Sequence, residues 1–410
     1  MNMMAENKHI PAIRFKGFSE DWSNRLFGET FSNISNNTLS RSELNYKSGL
    51  AKNIHYGDVL INFGELLDAE KDEIPFITDD VLANQYKSSQ LQNGDIVIAD
   101  AAEDETVGKC TEIINVGNQI ITSGLHTIPV RPELLFAPKY LGYYMNSHAY
   151  HNQLLRLMQG TKVLSISKSK IKDTSIVFPK ELDEQTQIGS YFQNLDKLIS
   201  LHQSKYNKLV KLKKAMLEKM FPKAGADVPE IRFKGFEGAW QERKLGEITN
   251  TTIGEFVIKT RQNPSSPYPV FNGGKSYTGF YDEYNNEGNK IIISARGANA
   301  GYVNFTKSRF WAGNSCYSVD ILDKELFSIE YFYYYIKFNQ NRFINNQQAA
   351  NIPSVSKSDV EKFIIAHPKF KEQKAIAEYF QNFDKLINLN QQELDKLNNL
   401  KKVCLEKMFV

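Results

Sequence analysis

Residues 184–221, EQTQIGSYFQNLDKLISLHQSKYNKLVKLKKAMLEKMF, return as residues 372–409, EQKAIAEYFQNFDKLINLNQQELDKLNNLKKVCLEKMF. At a constant offset of 188, Tyr191-Phe192-Gln193-Asn194 meets Tyr379-Phe380-Gln381-Asn382 and Asp196-Lys197-Leu198-Ile199 meets Asp384-Lys385-Leu386-Ile387. Leu217-Glu218-Lys219-Met220-Phe221 likewise meets Leu405-Glu406-Lys407-Met408-Phe409. A repeat this literal sets the architecture before any local reading. Both copies predict a helix, since neither holds a Pro and only Gly189 interrupts. Apolar residues fall at 188, 192, 195, 199, 209, 212 and 216, and at 376, 380, 383, 387, 394, 397 and 404. That mixed spacing is a coiled-coil-like seam, with His202 and Asn390 as its polar interruptions.

A helix of that length runs roughly 57 Å and cannot bury an apolar stripe alone. The economical partner is the other copy, because the seams match residue for residue. The folded segment between them is long enough to span the rod, so the expected arrangement is antiparallel. The expected seam is Leu195, Ile199, Leu209 and Met216 against Phe383, Ile387, Leu397 and Cys404. The competing reading is two amphipathic core helices in separate domains.

A second repeat opens each half. PAIRFKGFSEDWSNRLFGE (11–29) returns as PEIRFKGFEGAWQERKLGE (229–247), at an offset of 218. The chain thus divides into a first globular segment (11–180), a long helix (181–222), a linker (223–228), a second globular segment (229–370) and a second long helix (371–410). Pro222 stops the first helix. Within the segments, Gly57-Asp58-Val59-Leu60-Ile61 and Gly94-Asp95-Ile96-Val97-Ile98 read as turn-then-strand. Ile291–Ser294 and Tyr302–Phe305 read as strands flanking the polar loop Ala295–Gly301. Helix candidates lie at Tyr140–Met145 and Tyr331–Phe338, and matched closing stretches at 159–179 and 348–368. The fold class is therefore α+β, with one frame used twice around divergent middles.

At 410 residues the chain is too long for one core. A net charge of +3 neither demands nor excludes nucleic acid. Cys110, Cys316 and Cys404 lie far apart, which reads as reduced thiols of a cytoplasmic protein without a zinc site. No apolar leader and no apolar run of membrane-spanning length occurs, so no membrane association is expected.

Motifs for catalysis are scarce. The histidines form no metal spacing, and no HExxH, GxSxG or acidic nuclease cluster appears. Asn272-Gly273-Gly274-Lys275-Ser276 lacks the first glycine of a phosphate loop, since position 269 is Pro, and reads as a turn. Asn263-Pro264-Ser265-Ser266 departs from the Asn-Pro-Pro-aromatic box of amino-methyltransferases at its third position. What remains is basic and polar loops. Lys162, Lys168, Lys170 and Lys172 cluster in the first half, with Arg296, Asn299, Asn351 and Lys357 in matching loops of the second. Lys and Arg neutralise phosphates, and Asn and Arg read base edges in the major groove. The bland alternative is ordinary solvated loops.

The YFQNLDKLI and YFQNFDKLI helix starts, their LEKMF ends and the IRFKGF…W openings together resemble the specificity subunits of type I restriction-modification systems. The resemblance covers nearly the whole chain. It implies two α/β target recognition domains in tandem, each followed by a long helix. The two helices would pack as an antiparallel coiled coil with pseudo-two-fold symmetry. It further implies that each domain reads one half of a gapped sequence in double-stranded DNA. Two modification (methyltransferase) subunits and restriction (nuclease-translocase) subunits would be the protein partners. S-adenosylmethionine, ATP and Mg would sit on those partners, leaving this chain without cofactor or catalytic residues. The family supplies no fixed set of base-reading residues, so the eight DNA candidates rest on loop position and residue type. The halves also differ: IADAAEDETVG, with Asp100, Glu103, Asp104 and Glu105, stands where the second half has ISARGANAG. Two rival classes stay open, an enzyme with unfamiliar motifs and a protein-interaction scaffold.

Overall fold

A computed structural model describes residues 9–345 and 353–410. They fall into two compact units. Unit 1 takes the residues up to Gln203 together with Glu393–Val410, and unit 2 takes Ser204–Gln392.

Among the described residues of unit 1, a mixed sheet is built from β1 (Phe31–Asn33), β2 (Leu66–Asp68), β3 (Ile96–Ala99), β4 (Cys110–Ile114) and β5 (Thr127–Pro132), in the order β1-β5-β3-β4-β2. Strands β3 and β4 are buried at every position; β3 is an unbroken apolar run, while β4 also buries Thr111 and Glu112, whose carboxylate accepts from the Lys139 and Gly142 N–H groups. Helix α1 (Tyr140–Asn146) packs on this sheet, and the long helix α2 (Leu182–Met220) begins in this unit. In unit 2 the corresponding sheet is β6 (Thr249–Ile253), β7 (Lys290–Ser294), β8 (Val303–Thr306) and β9 (Cys316–Ile321), in the order β6-β9-β7-β8. It is covered by α3 (Ile329–Phe338) and by the start of α4 (Phe370–Lys407). Leaving aside edge strand β2, the two sheets share one order.

The opening repeats fold alike. The segment Ser23–Leu26 pairs antiparallel with Ser175–Phe178, and Gln241–Lys244 with Ile364–His367. Arg14 reaches Glu184 through two hydrogen bonds of 2.6 and 2.8 Å, and Arg232 reaches Glu372 through two of 2.7 Å. Both carboxylates are nearly inaccessible, so removing either arginine would leave a buried charge unpaired, at about 3–5 kcal/mol. Gln185 and Gln373 sit one residue further on. Each donates to a proline carbonyl, Pro179 or Pro368, and accepts a backbone N–H, from Ala137 or Ser328.

Each unit is completed by the end of the helix that follows the other globular segment. In unit 1, Phe409 packs against Tyr140, Tyr144 and Phe192 at ring distances of 5.7–6.0 Å. In unit 2, Phe221 meets Tyr331, Tyr335 and Phe380 at 5.3–5.9 Å. The Ile13 N–H donates to the Lys407 carbonyl and the Ile231 N–H to that of Lys219, both at 2.9 Å. The matched LEKMF ends are thus core plugs.

Within each unit the helix segments run antiparallel. In unit 1, Tyr191 meets Cys404 (3.4 Å) while Asp196 meets Lys401 (2.7 Å), so rising numbers face falling ones. In unit 2, Lys213 meets Asp384 while Phe221 meets Phe380. Tyr143 donates to Asp196 and Tyr334 to Asp384, each at 2.6 Å, so the same Tyr-Asp-Lys triad recurs. Of the seam residues, Leu195, Phe383, Leu397 and Cys404 are buried and Ile199, Leu209, Met216 and Ile387 half-buried. Asn390 is buried among them.

One local reading is corrected. Tyr56–Ile61 is a helix, not the strand expected from Gly57–Ile61. The His55 ring accepts the Gly57 N–H as a cap, and the Asp58 carboxylate is buried against Arg41. Those tertiary partners override the β-branched pattern.

Candidate nucleic-acid interface

In both units the loop joining one matched pair of strands, β3 to β4 in unit 1 and β7 to β8 in unit 2, is closed by the same bonds. In unit 1 the Gly108 N–H donates to the Ala99 carbonyl (2.8 Å), Asp100 N–H to His126 (3.0 Å) and Ile166 N–H to Asp100 (2.9 Å). In unit 2 the Gly301 N–H donates to Ser294 (2.7 Å), Ala295 N–H to Ser315 (2.8 Å) and Val355 N–H to Ala295 (2.8 Å). Gly108 and Gly301 close these loops at φ of 88° and 84°, a region that only glycine enters without strain. The bonds superpose the sequences: Asp100 stands for Ala295, Ala101 for Arg296 and His126 for Ser315. The stretch 164–166 in unit 1 and 353–355 in unit 2 lies alongside, through the pair Ala101–Ala102 with Leu164–Ser165 and the bridge Arg296–Ser354.

Unit 2 therefore gathers the loops 254–258, 272–277, 295–301, 313–315 and 353–357 at one end of its sheets. Gly273 lies against the Arg296 carbonyl and Ser315, the Ser294 hydroxyl donates to the Gly274 carbonyl, and the Glu255 N–H donates to Ala312. Arg296 is exposed here, with Lys275, Phe256 and Tyr277 also exposed. Asn299 is half-buried and its carbonyl accepts from Tyr302. Lys357 opens the short helix Lys357–Glu361 and lies 3.5 Å from Glu361. Asn351 lies outside the described residues. Nearby, Lys337 sits over the Tyr302 ring and donates to the Val303 carbonyl. Burial, followed by Lys213 and Lys275, pushes its ammonium down to about 8.

In unit 1, Lys168 is half-buried and donates to Asn36 Oδ1 (3.1 Å), while Lys162 is exposed ahead of Leu164. Lys170 is exposed on a shallow groove with Arg156 and Asp173. Lys172 is exposed, its carbonyl accepting the Gly28 N–H. The fold thus brings Lys168 into the loop cluster and turns Lys170 and Lys172 toward the segment around Gly28 and Asp173. Three polar or aromatic members of the cluster escaped the sequence reading: Asn36, Tyr56 and His126. Asn36 donates to the Gly124 carbonyl, and Tyr56 meets the His126 ring edge-on at 5.3 Å. Only the acids of 100–105 were a usable signal, because the other partners converge from distant loops.

Among the described residues no group of His, Cys, Asp and Glu is arranged to hold a metal ion, and no helix is long and apolar enough to cross a membrane.

Two tandem sheets closed by one bonding pattern, with an antiparallel long-helix pair in each unit, define a class. The model of the type I restriction modification DNA specificity domain matches residues 52–211 and again 237–399, most of the chain, and the protein belongs to that family. Among its relatives is a protein of Methanocaldococcus jannaschii named as the MjaX type I restriction enzyme specificity subunit. It is 23% identical over 342 residues, spanning 79% of each chain. The S subunit of a type I restriction-modification system from M. genitalium, solved by crystallography, shares the fold. It has a TM-score of 0.68 and 16% identity, over 98% of this chain and 99% of that one. A chain from a structural study of complex assembly and conformational transition in the type I system matches at a TM-score of 0.50, with 19% identity over 94% and 96% of the two chains.

Proposed function

We propose that this chain reads a gapped, two-part sequence in duplex DNA, one part with each unit, and directs partner subunits to it. The observation that carries this reading is the doubled loop cluster: one bonding frame, used twice, displaying different side chains. A frame kept constant under changing contacts suits two readers of two unrelated half-sites. Exposed Arg296, Lys275 and Lys357 in unit 2, and Lys168 with its neighbours in unit 1, would supply phosphate and base-edge contacts.

Catalysis would belong to partners. Two modification subunits carrying S-adenosylmethionine would methylate an adenine in each half-site after flipping it from the stack. Restriction subunits carrying ATP and Mg would cleave. Support for two like partners comes from exposed leucines that recur on the helices, Leu198 and Leu201 in unit 1 and Leu386 and Leu389 in unit 2.

The test is co-expression with the neighbouring methyltransferase and mapping of modified adenines across a host genome. A bipartite motif that vanishes without this chain, and changes in one half when residues 230–370 are exchanged, is the expected result. Methylation indifferent to the chain overturns the reading.

A further inference from the structure

The loop cluster of unit 1 contains a built constellation of uncommon geometry. His126 occupies the turn ahead of β5 at φ 55°, a left-handed conformation that costs a non-glycine residue energy and is kept where the surroundings enforce it. Its Nδ1 lies 3.2 Å from Asp100 Oδ1, with the imidazole side chain 51% exposed and the carboxylate 27% exposed. Tyr56 holds one edge of the ring, and Tyr56 is itself packed on His55 at 4.6 Å.

The chemistry of the pair fixes the tautomer. An ionised carboxylate only accepts, so in the neutral ring Nδ1 carries the proton and Nε2 keeps its lone pair. Among the described residues Nε2 has no hydrogen-bond partner, and half the side chain faces solvent. Lys168, whose ammonium also faces Asp100, is tied to Asn36, which is tied in turn to Gly124. The imidazole is thus clamped on its Nδ1 side and open on its Nε2 side. Unit 2 has no such device, since Ser315 and Ala295 occupy the two positions.

We propose that His126 is a base-reading side chain of the first half-site, its Nε2 accepting from the exocyclic amino group of adenine or cytosine in the major groove. Asp100 is its positioning residue. Both bases present that donor on the major-groove edge, and a neutral imidazole acceptor matches it. The inference rests on the DNA-reading function proposed above and assigns one contact within it.

The experiment maps adenine methylation in cells carrying the full chain with its methyltransferase, comparing wild type with His126→Gly, Asp100→Ala and Asp100→Asn. Glycine suits the left-handed backbone, so His126→Gly removes the ring without straining the turn. Preference for A or C is expected to relax at one position of one half-site, by about 5- to 150-fold. The base found there in the wild-type motif identifies which amino group is read. Asp100→Ala should relax the same position, whereas Asp100→Asn, whose carbonyl still accepts from Nδ1, should restore it. A purely structural carboxylate would give no such base-specific rescue. An unchanged motif in His126→Gly, or equal losses in both halves, overturns the assignment. Should His126→Gly abolish methylation by unfolding, the Asp100 pair decides: equal behaviour of Ala and Asn sinks the proposal. A wild-type motif that does not depend on this chain sinks the underlying function instead.

Discussion

Phe409 in unit 1 and Phe221 in unit 2 do the same work against the same set of rings, two tyrosines and a phenylalanine, yet the loops of the two units display two different chemistries. Unit 1 displays an imidazole clamped by a carboxylate where unit 2 has Ser315 and Ala295, and it buries Ala101 where unit 2 exposes Arg296. Core plugs, Arg-Glu pairs, Gln brackets and Tyr-Asp-Lys triads are interchangeable between the units. The loop clusters are not. The frame tolerates this because its bonds to the loops are backbone bonds, which do not depend on the side chains displayed.

The strongest way to break the equivalence is at the plugs. Phe409→Ala should cost about 3–5 kcal/mol in unit 1, and Phe221→Ala a similar amount in unit 2. Amide hydrogen exchange resolved along the chain checks both: each variant should lose protection in its own unit first. Matched losses in both units for either variant would contradict separate cores.

A smaller effect sharpens the contrast between reading and holding. Arg296→Ala should relax base preference at one position of the second half-site, by about 1–3 kcal/mol. Lys357→Ala should weaken binding evenly across sequences and lower the salt dependence by about one phosphate contact. Titrations of the assembled complex on matched and mismatched duplexes, at several salt concentrations, separate the two.

The narrowest effect, confined to a pH window, concerns Lys337, whose counterpart by position in the frame is Asn146. Asn146 donates to the Cys110 carbonyl as Lys337 donates to that of Val303. Only the lysine carries a charge into that place, and its ammonium is pushed down to about 8 from 10.5. Below about 8 the group is charged both folded and unfolded, so the folded state bears the whole penalty. As pH rises from 8 toward 10.5 the unfolded form still holds its proton while the folded form has released it, and the penalty disappears. Lys337→Met should therefore be more stable than wild type at pH 7, with the advantage shrinking above pH 8 in paired thermal melts. A constant difference across pH would contradict the shift.

Much of this was legible in the sequence, for a physical reason. A helix seam, a closing plug and an opening motif are local patterns, and here each was written twice, so Tyr191-Phe192, Leu405–Phe409 and Ile13–Phe18 could be read by comparing the chain with itself. The candidate interface was less legible. Lys168 and Arg296 lie in the loop clusters, but Lys170 and Lys172 share their stretch of sequence with Lys168 without sharing its surroundings. His126, Tyr56 and Asn36 are brought beside Asp100 from loops many residues away, which no spacing rule anticipates. The Tyr56–Ile61 helix escaped partly for the same reason, since the ion pair that buries Asp58 depends on Arg41, and partly because its cap is a histidine, His55, rather than one of the usual cap residues.

Because Phe409 closes the first core, the order of synthesis and the order of completion run opposite to each other. Unit 2 is a single uninterrupted stretch, Ser204–Gln392, and has all its parts once that stretch has been made. Unit 1 is begun first, yet its aromatic socket at Tyr140, Tyr144 and Phe192 stays open on the nascent chain until residue 409 is translated. The earlier-made half is thus the later to mature, exposed to chaperones and proteases for the longer time. A stop codon among residues 393–408 would leave the later-made half whole and the earlier one without its keystone.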